Sequence, residues 1–130
     1  MKRRLGQTLT IFLLLLVASV SMRAMRAKAG YNYRCCKSNL IKIATACEMY
    51  ATDFEGHYPA RLSILDPKYL KSLPQCPLNI PGTQPYGYQV NPHAFTVVCQ
   101  GDNHIVYTGH ENWPQYGTYF GCAMFDPLAQ

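Results

Sequence analysis

Residues 36–54 read CKSNLIKIATACEMYATDF, and this stretch decides the fold of the chain. Its apolar residues recur at i, i+3, i+4 and i+7, the spacing that places side chains on one face of an α-helix. They are Leu40, Ile43, Ala44, Cys47, Tyr50, Ala51 and Phe54. Gly56 follows, and glycine favours the left-handed conformation in which many helices end. The pattern predicts an amphipathic helix of about five turns whose apolar face covers a sheet.

Strand patterns follow the helix. After a loop that contains Pro74 and Pro77, residues 86–90 alternate in polarity, and residues 94–99 are rich in β-branched and aromatic side chains. A turn at 101–103 leads to residues 104–108, which have the composition of a third strand. A short helix is expected to begin at Pro67 with Asp66 as its cap. The fold class is therefore α+β, a long N-terminal helix packed on a small antiparallel sheet of three or four strands, and residues 109–130 are left unassigned.

The excess positive charge of the chain lies entirely at its start. Residues 1–29 contain six of the twelve Lys and Arg residues and none of the seven Asp and Glu residues, so the rest of the chain has a net charge of −1. An apolar run over 9–20 lies between the two groups of bases. This arrangement indicates a membrane-targeting segment, and it gives no reason to expect nucleic acid as a partner. Residues 1–29 are interpreted as a leader or membrane anchor, and residues 30–130 as the exported domain.

Two interpretations of the leader remain open. Ala27, Lys28 and Ala29 form a small-x-small exit before Gly30, which is typical of a cleaved secretory signal. Alternatively residues 7–22 stay in the membrane as an anchor. Sixteen helical residues extend about 24 Å, somewhat less than the hydrocarbon core of about 30 Å, and flanking arginines can reach the interface.

The order of these segments resembles that of type IV pilins and of the pseudopilins of type II secretion systems. The runs that carry the resemblance are residues 36–40, 48–53, 56–59, 69–71, 74–77 and 95–104. In that family the apolar segment and the amphipathic helix form one continuous spine, and a sheet packs on its C-terminal half. The resemblance implies a structural, non-enzymatic subunit or accessory in the cell envelope, with a single pass through the inner membrane. Its partners would be other pilin-like subunits or secretion-assembly proteins.

The processing signal of that family is present only in part. Gly6, Thr8 and Leu9 match the family's glycine and Thr-Leu, while Gln7 occupies the place of an aromatic residue. Ile11 occupies the place of a glutamate that guides docking between family members. The resemblance therefore implies a cut between Gly6 and Gln7, together with poor self-assembly and dependence on a partner subunit. The alternative is a freely secreted, disulfide-stabilised binding protein on a pilin-like scaffold.

Six cysteines in a small exported domain favour disulfides. Cys76 and Cys99 flank a loop of about twenty residues, and a bridge between them would add about 3 kcal/mol of stability. Pairing of Cys36, or of its neighbour Cys35, with Cys122 is the second candidate and would fix the tail to the helix. Cys47 lies in the apolar stripe, about 16 Å along the helix from Cys36, and is expected to be a small buried side chain.

Metal binding and catalysis have weaker support in the sequence. Two cysteines and two histidines could in principle bind zinc, namely Cys99, His104, His110 and Cys122. Their spacings match no compact zinc motif, so no metal is expected. The pilin resemblance implies at most a weak calcium site at Asp102, Asn103 and Asp126, whose residue types are more often turn formers. No motif of nucleophilic or paired-carboxylate catalysis is present, so the chain is predicted to have no catalytic residues, no cofactor and no enzymatic activity.

Aromatic side chains are concentrated in the tail and leave a further choice open. They either cover the small sheet or form an exposed patch for a partner protein. They are Tyr107, Trp113, Tyr116, Tyr119, Phe120 and Phe125.

Overall fold

The computed structural model describes residues 2–79, 83, 86–100, 104–111, 113–118 and 124–125. Its first element is a helix, α1, over Lys2–Asp53, and a short 3-10 helix follows over Leu62–Leu65. The sheet has four strands, β1 over Tyr86–Asn91, β2 over Ala94–Cys99, β3 over Gln115–Gly117 and β4 over Met124–Phe125. A second helix, α2, covers Ile105–Thr108 between β2 and β3. The predicted α+β layout, a long N-terminal helix on a small antiparallel sheet, is confirmed.

Helix α1 is a single uninterrupted element of 52 residues, about 78 Å long at 1.5 Å per residue. It ends as the sequence predicts, with Glu55 and Gly56 in the left-handed region at φ 53° and 85°. The amide of Gly56 donates to the carbonyl of Ala51 at 2.8 Å and so satisfies one of the last carbonyls of the helix. The helix also runs without a break through residues 29 and 30, and the division of the chain at that point stays a prediction.

The two halves of α1 have different environments. Residues 7–28 are exposed along the whole circumference of the helix, whereas Gly30 and Tyr33 begin a buried face. This face continues through Cys36, Leu40, Ile43, Ala44, Ala46, Cys47 and Ala51. The predicted apolar stripe is thus confirmed through Ala51, while Phe54 at its end is exposed.

Within the described part of the chain, α1 is the one helix long and apolar enough to cross a membrane, and none of the side chains in its most apolar stretch is buried. A secretory signal sequence near the N-terminus would pass the same test of length and composition. Helix α1 therefore fits a membrane anchor and a signal sequence alike.

The sheet is an antiparallel meander in the order β1-β2-β3-β4. Strands β1 and β2 form a hairpin in which Tyr86 pairs with Cys99 and Asn91 with Ala94. The side chains of β2 alternate in burial, and Phe95, Val97 and Cys99 point into the core against α1. The hairpin matches the strands predicted from sequence, with β1 one residue longer.

The prediction of a third strand at residues 104–108 is wrong, because these residues form α2. The hydroxyl of Thr108 donates to the carbonyl of His104 at 3.1 Å, and Gly109, at φ 73°, closes the short helix by donating to Ile105. The free edge of β2 pairs instead with β3, where Thr96 is opposite Gly117. A three-residue strand in a segment rich in glycine and proline has too little periodicity for its sequence to reveal it.

The loop between α1 and the sheet also differs from expectation. The 3-10 helix places Leu62 and Leu65 in the core. The predicted short helix from Pro67 is absent, because Tyr69 and Leu70 both donate back to the carbonyl of Leu65 and close a turn there. The side chain of Leu65 therefore packs into the core, while its carbonyl accepts the two hydrogen bonds that close the turn.

Candidate functional site

Four side chains of types that can ligate a metal meet inside the domain, those of Cys36, Cys76, Cys99 and His104. One ligand atom from each residue lies within 4.8 Å of the corresponding atom of every other. Cys36 and Cys99 are 0% exposed, His104 is 2% exposed and Cys76 is 4% exposed. We call this group the Cys36–His104 cluster. It is closed to solvent on all sides, so it can hold a small ion but offers no room for a substrate.

Each residue of the cluster comes from a different segment. Cys36 stands on the buried face of α1, one turn before Leu40, and Cys99 is the last residue of β2. The backbone amide of Cys99 donates to the carbonyl of Pro114 at 2.9 Å, which holds the end of β2 beside the segment leading into β3. The cluster therefore lies where the helix meets the central strand of the sheet.

The loop that contains Cys76 is tied directly to α1. Asn39 on α1 donates through Nδ2 to the carbonyl of Gln75 at 2.8 Å. The amide of Asn79 donates to the carbonyl of Cys76 at 3.0 Å and closes a turn around Pro77. These two bonds hold the backbone on both sides of Cys76, and its side chain is buried.

His104 is positioned by the first turn of α2. Its carbonyl accepts hydrogen bonds from the amide and the hydroxyl of Thr108, at 2.9 and 3.1 Å. The ring of Tyr33 lies edge-on to the imidazole, with 5.7 Å between centroids. The imidazole Nε2 lies 3.4 Å from the Sγ of Cys76, while the buried Nδ1 has no hydrogen-bond partner among the described residues. Nε2 is therefore the ring atom that faces the sulfurs.

The three thiols of the cluster are not equivalent. A hydrogen bond donated to Cys76 raises the pKa of the Cys36 thiol above its ordinary value, and Cys99 and burial act in the same direction. The pKa of the Cys76 thiol is lowered, because Cys36, Cys99 and His104 surround its sulfur with hydrogen-bond donors. The sulfur of Cys76 is thus the atom on which the cluster most readily accommodates negative charge.

A second buried thiol on α1 provides a contrast. Cys47 is 0% exposed, as predicted for a small core side chain, and it does not belong to the Cys36–His104 cluster. Burial raises the pKa of Cys47 to about 12. Cys47 is therefore as deeply buried as Cys36 on the same helix, but it acts as an apolar core residue.

The structure describes each predicted disulfide partner except Cys122. Cys76 and Cys99 lie together as the sequence suggested, yet the five described cysteines, Cys35 among them, carry thiols and no bridge joins them. Cys122, the predicted partner of Cys36, lies outside the described residues. Cys36 lies instead beside Cys76 and Cys99. Pairwise comparison of cysteines along the sequence did not predict this group of three.

The structure assembles only part of the candidate metal sets that the sequence offered. Cys99 and His104 of the conceivable zinc set meet, but the other two positions of the cluster belong to Cys36 and Cys76, and His110 is exposed. The calcium candidates Asp102, Asn103 and Asp126 lie outside the described residues. The signal that could have found the cluster is the position of Cys36 at the head of the buried stripe, together with a histidine five residues after Cys99.

The outer face of the sheet carries an open groove of about 440 Å³. Its lining residues come from β1, β2, β3 and the residue after β2, and none belongs to the cluster; they are Gly87, Tyr88, Gln89, Thr96, Val98, Gln100 and Gln115. The described lining contains no cysteine, histidine or acidic side chain, and its hydroxyl groups are those of Tyr88 and Thr96.

No protein-family model, curated protein or solved structure matches this chain. The resemblance to pilins therefore rests on the residues and segment order of the sequence alone, and it stays a prediction.

Proposed function

We propose that this protein is a membrane-anchored, pilin-like structural subunit or accessory of a type II secretion or type IV pilus-like assembly. It performs no chemistry of its own in this proposal. The observation that supports it is the division of α1 into an exposed apolar half and a half that carries the folded domain. One helix then serves both as anchor and as the scaffold of the exported domain.

The exposed half of α1 carries more apolar surface than an isolated soluble domain tolerates. Eleven large apolar side chains lie between residues 9 and 25, with exposures from 46% to 69%. Burying one such side chain fully gains about 1.5–3 kcal/mol, so the segment as a whole strongly favours lipid or neighbouring helices over water. This surface has no cover among the described residues.

The exposed half is long enough to reach across a bilayer when its flanking bases are included. Its uncharged part, residues 7–22, extends about 24 Å at 1.5 Å per residue, against a hydrocarbon core of about 30 Å, and the exposed helix continues to residue 28. Arg23, Arg26 and Lys28 stand at the end nearest the domain, where their side chains can extend into the headgroup region. The domain would then begin directly at the membrane surface.

Ile11 shapes the proposed assembly role. It is 57% exposed and stands where the pilin family has a glutamate. An isoleucine cannot form the ion pair or hydrogen bonds that a carboxylate offers to a neighbouring subunit. The subunit would accordingly join an assembly beside a partner that supplies the docking contact, and would assemble poorly with copies of itself.

One observation also favours the second candidate, a freely secreted binding protein. The exposed half of α1 ends at Lys28, and burial begins at Gly30. A cut after Ala29 would therefore remove the exposed helix and the half-buried Ala29, and leave every buried residue of α1 in the released domain. The same boundary suits both functions, and the fate of the leader distinguishes them.

The N-terminus of the mature exported protein, determined by mass spectrometry, tests the proposal. We expect a chain that begins at Gln7 and stays in the membrane fraction after an alkaline wash. Gly6→Leu should block this cut, and Ala29→Arg should leave it unchanged. A soluble product that begins at Gly30 would replace the assembly role with the secreted one.

A matched pair of substitutions tests the anchor separately. Leu15 and Met49 are both exposed apolar residues of α1, at 64% and 51%. An arginine near the centre of a membrane helix costs about 2.5–3.5 kcal/mol of insertion free energy. Leu15→Arg should therefore shift protein out of the membrane fraction, while Met49→Arg should not. Equal membrane retention of both variants would contradict the anchor.

A further inference from the structure

We propose that the Cys36–His104 cluster binds one zinc ion in a closed, structural Cys₃His site. The metal would join α1, the loop before β1, the end of β2 and the start of α2 at one point. This inference does not depend on the proposed function, because all four ligands lie between residues 36 and 104, outside the leader.

The spacing of the four ligand atoms matches a tetrahedral site. With Zn–S bonds of about 2.3 Å and Zn–N bonds of about 2.0–2.1 Å, the sulfurs should be about 3.8 Å apart and a sulfur and nitrogen about 3.5 Å apart. Cys76 Sγ and His104 Nε2 are 3.4 Å apart, and all four ligand atoms lie within 4.8 Å of one another. Shifts of less than about 1 Å would bring the set to ideal coordination.

The ligand types select the metal. Three thiolates and one imidazole form a soft donor set that suits zinc, whereas magnesium and calcium prefer oxygen ligands. Exposures of 4% or less leave no open position for water or substrate. A closed four-ligand site is typical of structural zinc, and catalytic zinc retains an exchangeable fourth position.

A neighbouring hydroxyl is placed to support such a site. The hydroxyl of Tyr86 lies 3.8 Å from the Sγ of Cys36, close enough for a hydrogen bond between the two groups. Hydrogen bonds to ligand sulfurs orient them and reduce the charge that three thiolates bring into a buried site. A divalent cation would neutralise most of what remains.

A disulfide accounts for fewer of these observations. A bridge between Cys76 and Cys99 would use two sulfurs and leave Cys36 as a buried thiol beside an imidazole with no function. It would also leave the 3.4 Å approach of His104 to Cys76 unexplained. A zinc ion uses all four groups at once and requires no oxidant, since each thiol only loses its proton on binding.

The test uses the full chain, purified in detergent and reduced, with Co²⁺ as a spectroscopic probe for Zn²⁺. We expect one Co²⁺ per chain, with the sulfur-to-metal charge-transfer bands and intense d–d bands of tetrahedral thiolate coordination, and displacement of Co²⁺ by Zn²⁺. Zn²⁺ should also raise the melting temperature of the metal-free protein, because a ligand that binds only the folded state stabilises it. Absence of tetrahedral cobalt bands in folded, reduced protein would overturn the proposal.

Matched variants locate the site. Cys36→Ala should weaken Co²⁺ binding by about 100-fold or more, since even loss of an outer partner of a metal ligand costs about 10–100-fold. Cys47→Ala changes an equally buried cysteine of the same helix and should leave the binding unchanged. His104→Asn and the exposed His110→Asn form a second pair with the same expectation. Equal affinity within either pair would refute the assignment, as would a Cys76–Cys99 disulfide in the native exported protein.

Discussion

Replacement of Leu40 by alanine tests how α1 packs on the sheet. Leu40 is 0% exposed and lies in the core with Phe95 and Val97. Truncation of a fully buried leucine costs about 2.7–5.0 kcal/mol, because transfer free energy is lost and a cavity remains. The next residue, Ile41, is 46% exposed and points away from the core, so Ile41→Ala should cost less than about 1 kcal/mol.

Proteolysis in urea is a suitable assay for this pair. The full chain is kept in detergent with a chelator and reductant, so that bound metal does not add to the stability. For a urea slope of about 1–3 kcal/mol/M, a loss of about 3 kcal/mol lowers the unfolding midpoint by about 1–3 M. Leu40→Ala should show this decrease, and Ile41→Ala should stay close to the parent protein. Similar small shifts in both variants would show that the packed face of the helix is not the one described above.

Two further predictions concern the sheet and the end of α1. A Cβ on Gly117 would lie 2.5 Å from the carbonyl oxygen of Phe95, whereas one on Gly87 would meet the side chains of Gln100 and Val98 at 3.0 Å. Gly117→Ala should therefore lower the melting temperature more than Gly87→Ala does. The reverse order in a thermal melt would contradict the β2–β3 register. The hydrogen bond from Lys68 lowers the pKa of Asp53, so their pair stabilises the folded state above the unfolded carboxyl pKa and is lost as pH falls. Asp53→Asn should reduce the melting temperature slightly at pH 7 and not at a pH low enough to protonate the carboxyl in both states; an equal reduction at both values would rule out the ion pair as the cause.

The main helix and the hairpin could be predicted from the sequence because their signals are local. The stripe from Leu40 to Ala51 has the period of a helix, and residues 94–99 have the alternation and composition of a strand. Gly56 marks the end of α1 by its conformational freedom alone. Each of these inferences needs only a few neighbouring residues.

The rest of the sheet depended on contacts that no local pattern contains. Residues 104–108 have strand propensity, yet β3 occupies the edge of β2 and Thr108 bonds back to His104. Propensity was overridden there by pairing with a segment ten residues further along the chain.

The cluster escaped prediction for a related reason. Disulfide reasoning considers cysteines two at a time, and zinc motifs are recognised by short spacings. Cys36 and Cys76 are forty residues apart in sequence and meet only because α1 packs against β2 beside the Cys76 loop. A site assembled from four separate segments becomes visible only with the tertiary structure.

The continuity of α1 fixes the angular relation between its two halves. Every residue of an α-helix turns the chain by about 100° and advances it by about 1.5 Å. The helix has no break between the apolar run and Cys36. The number of residues at 23–29 therefore determines how far the domain is rotated about the helix axis relative to the apolar run. One residue added there would turn the sheet to face a different direction about the helix axis, while its height would change by less than the width of an atom. The length of this short basic stretch therefore determines which face of the domain lies above a given face of the apolar run.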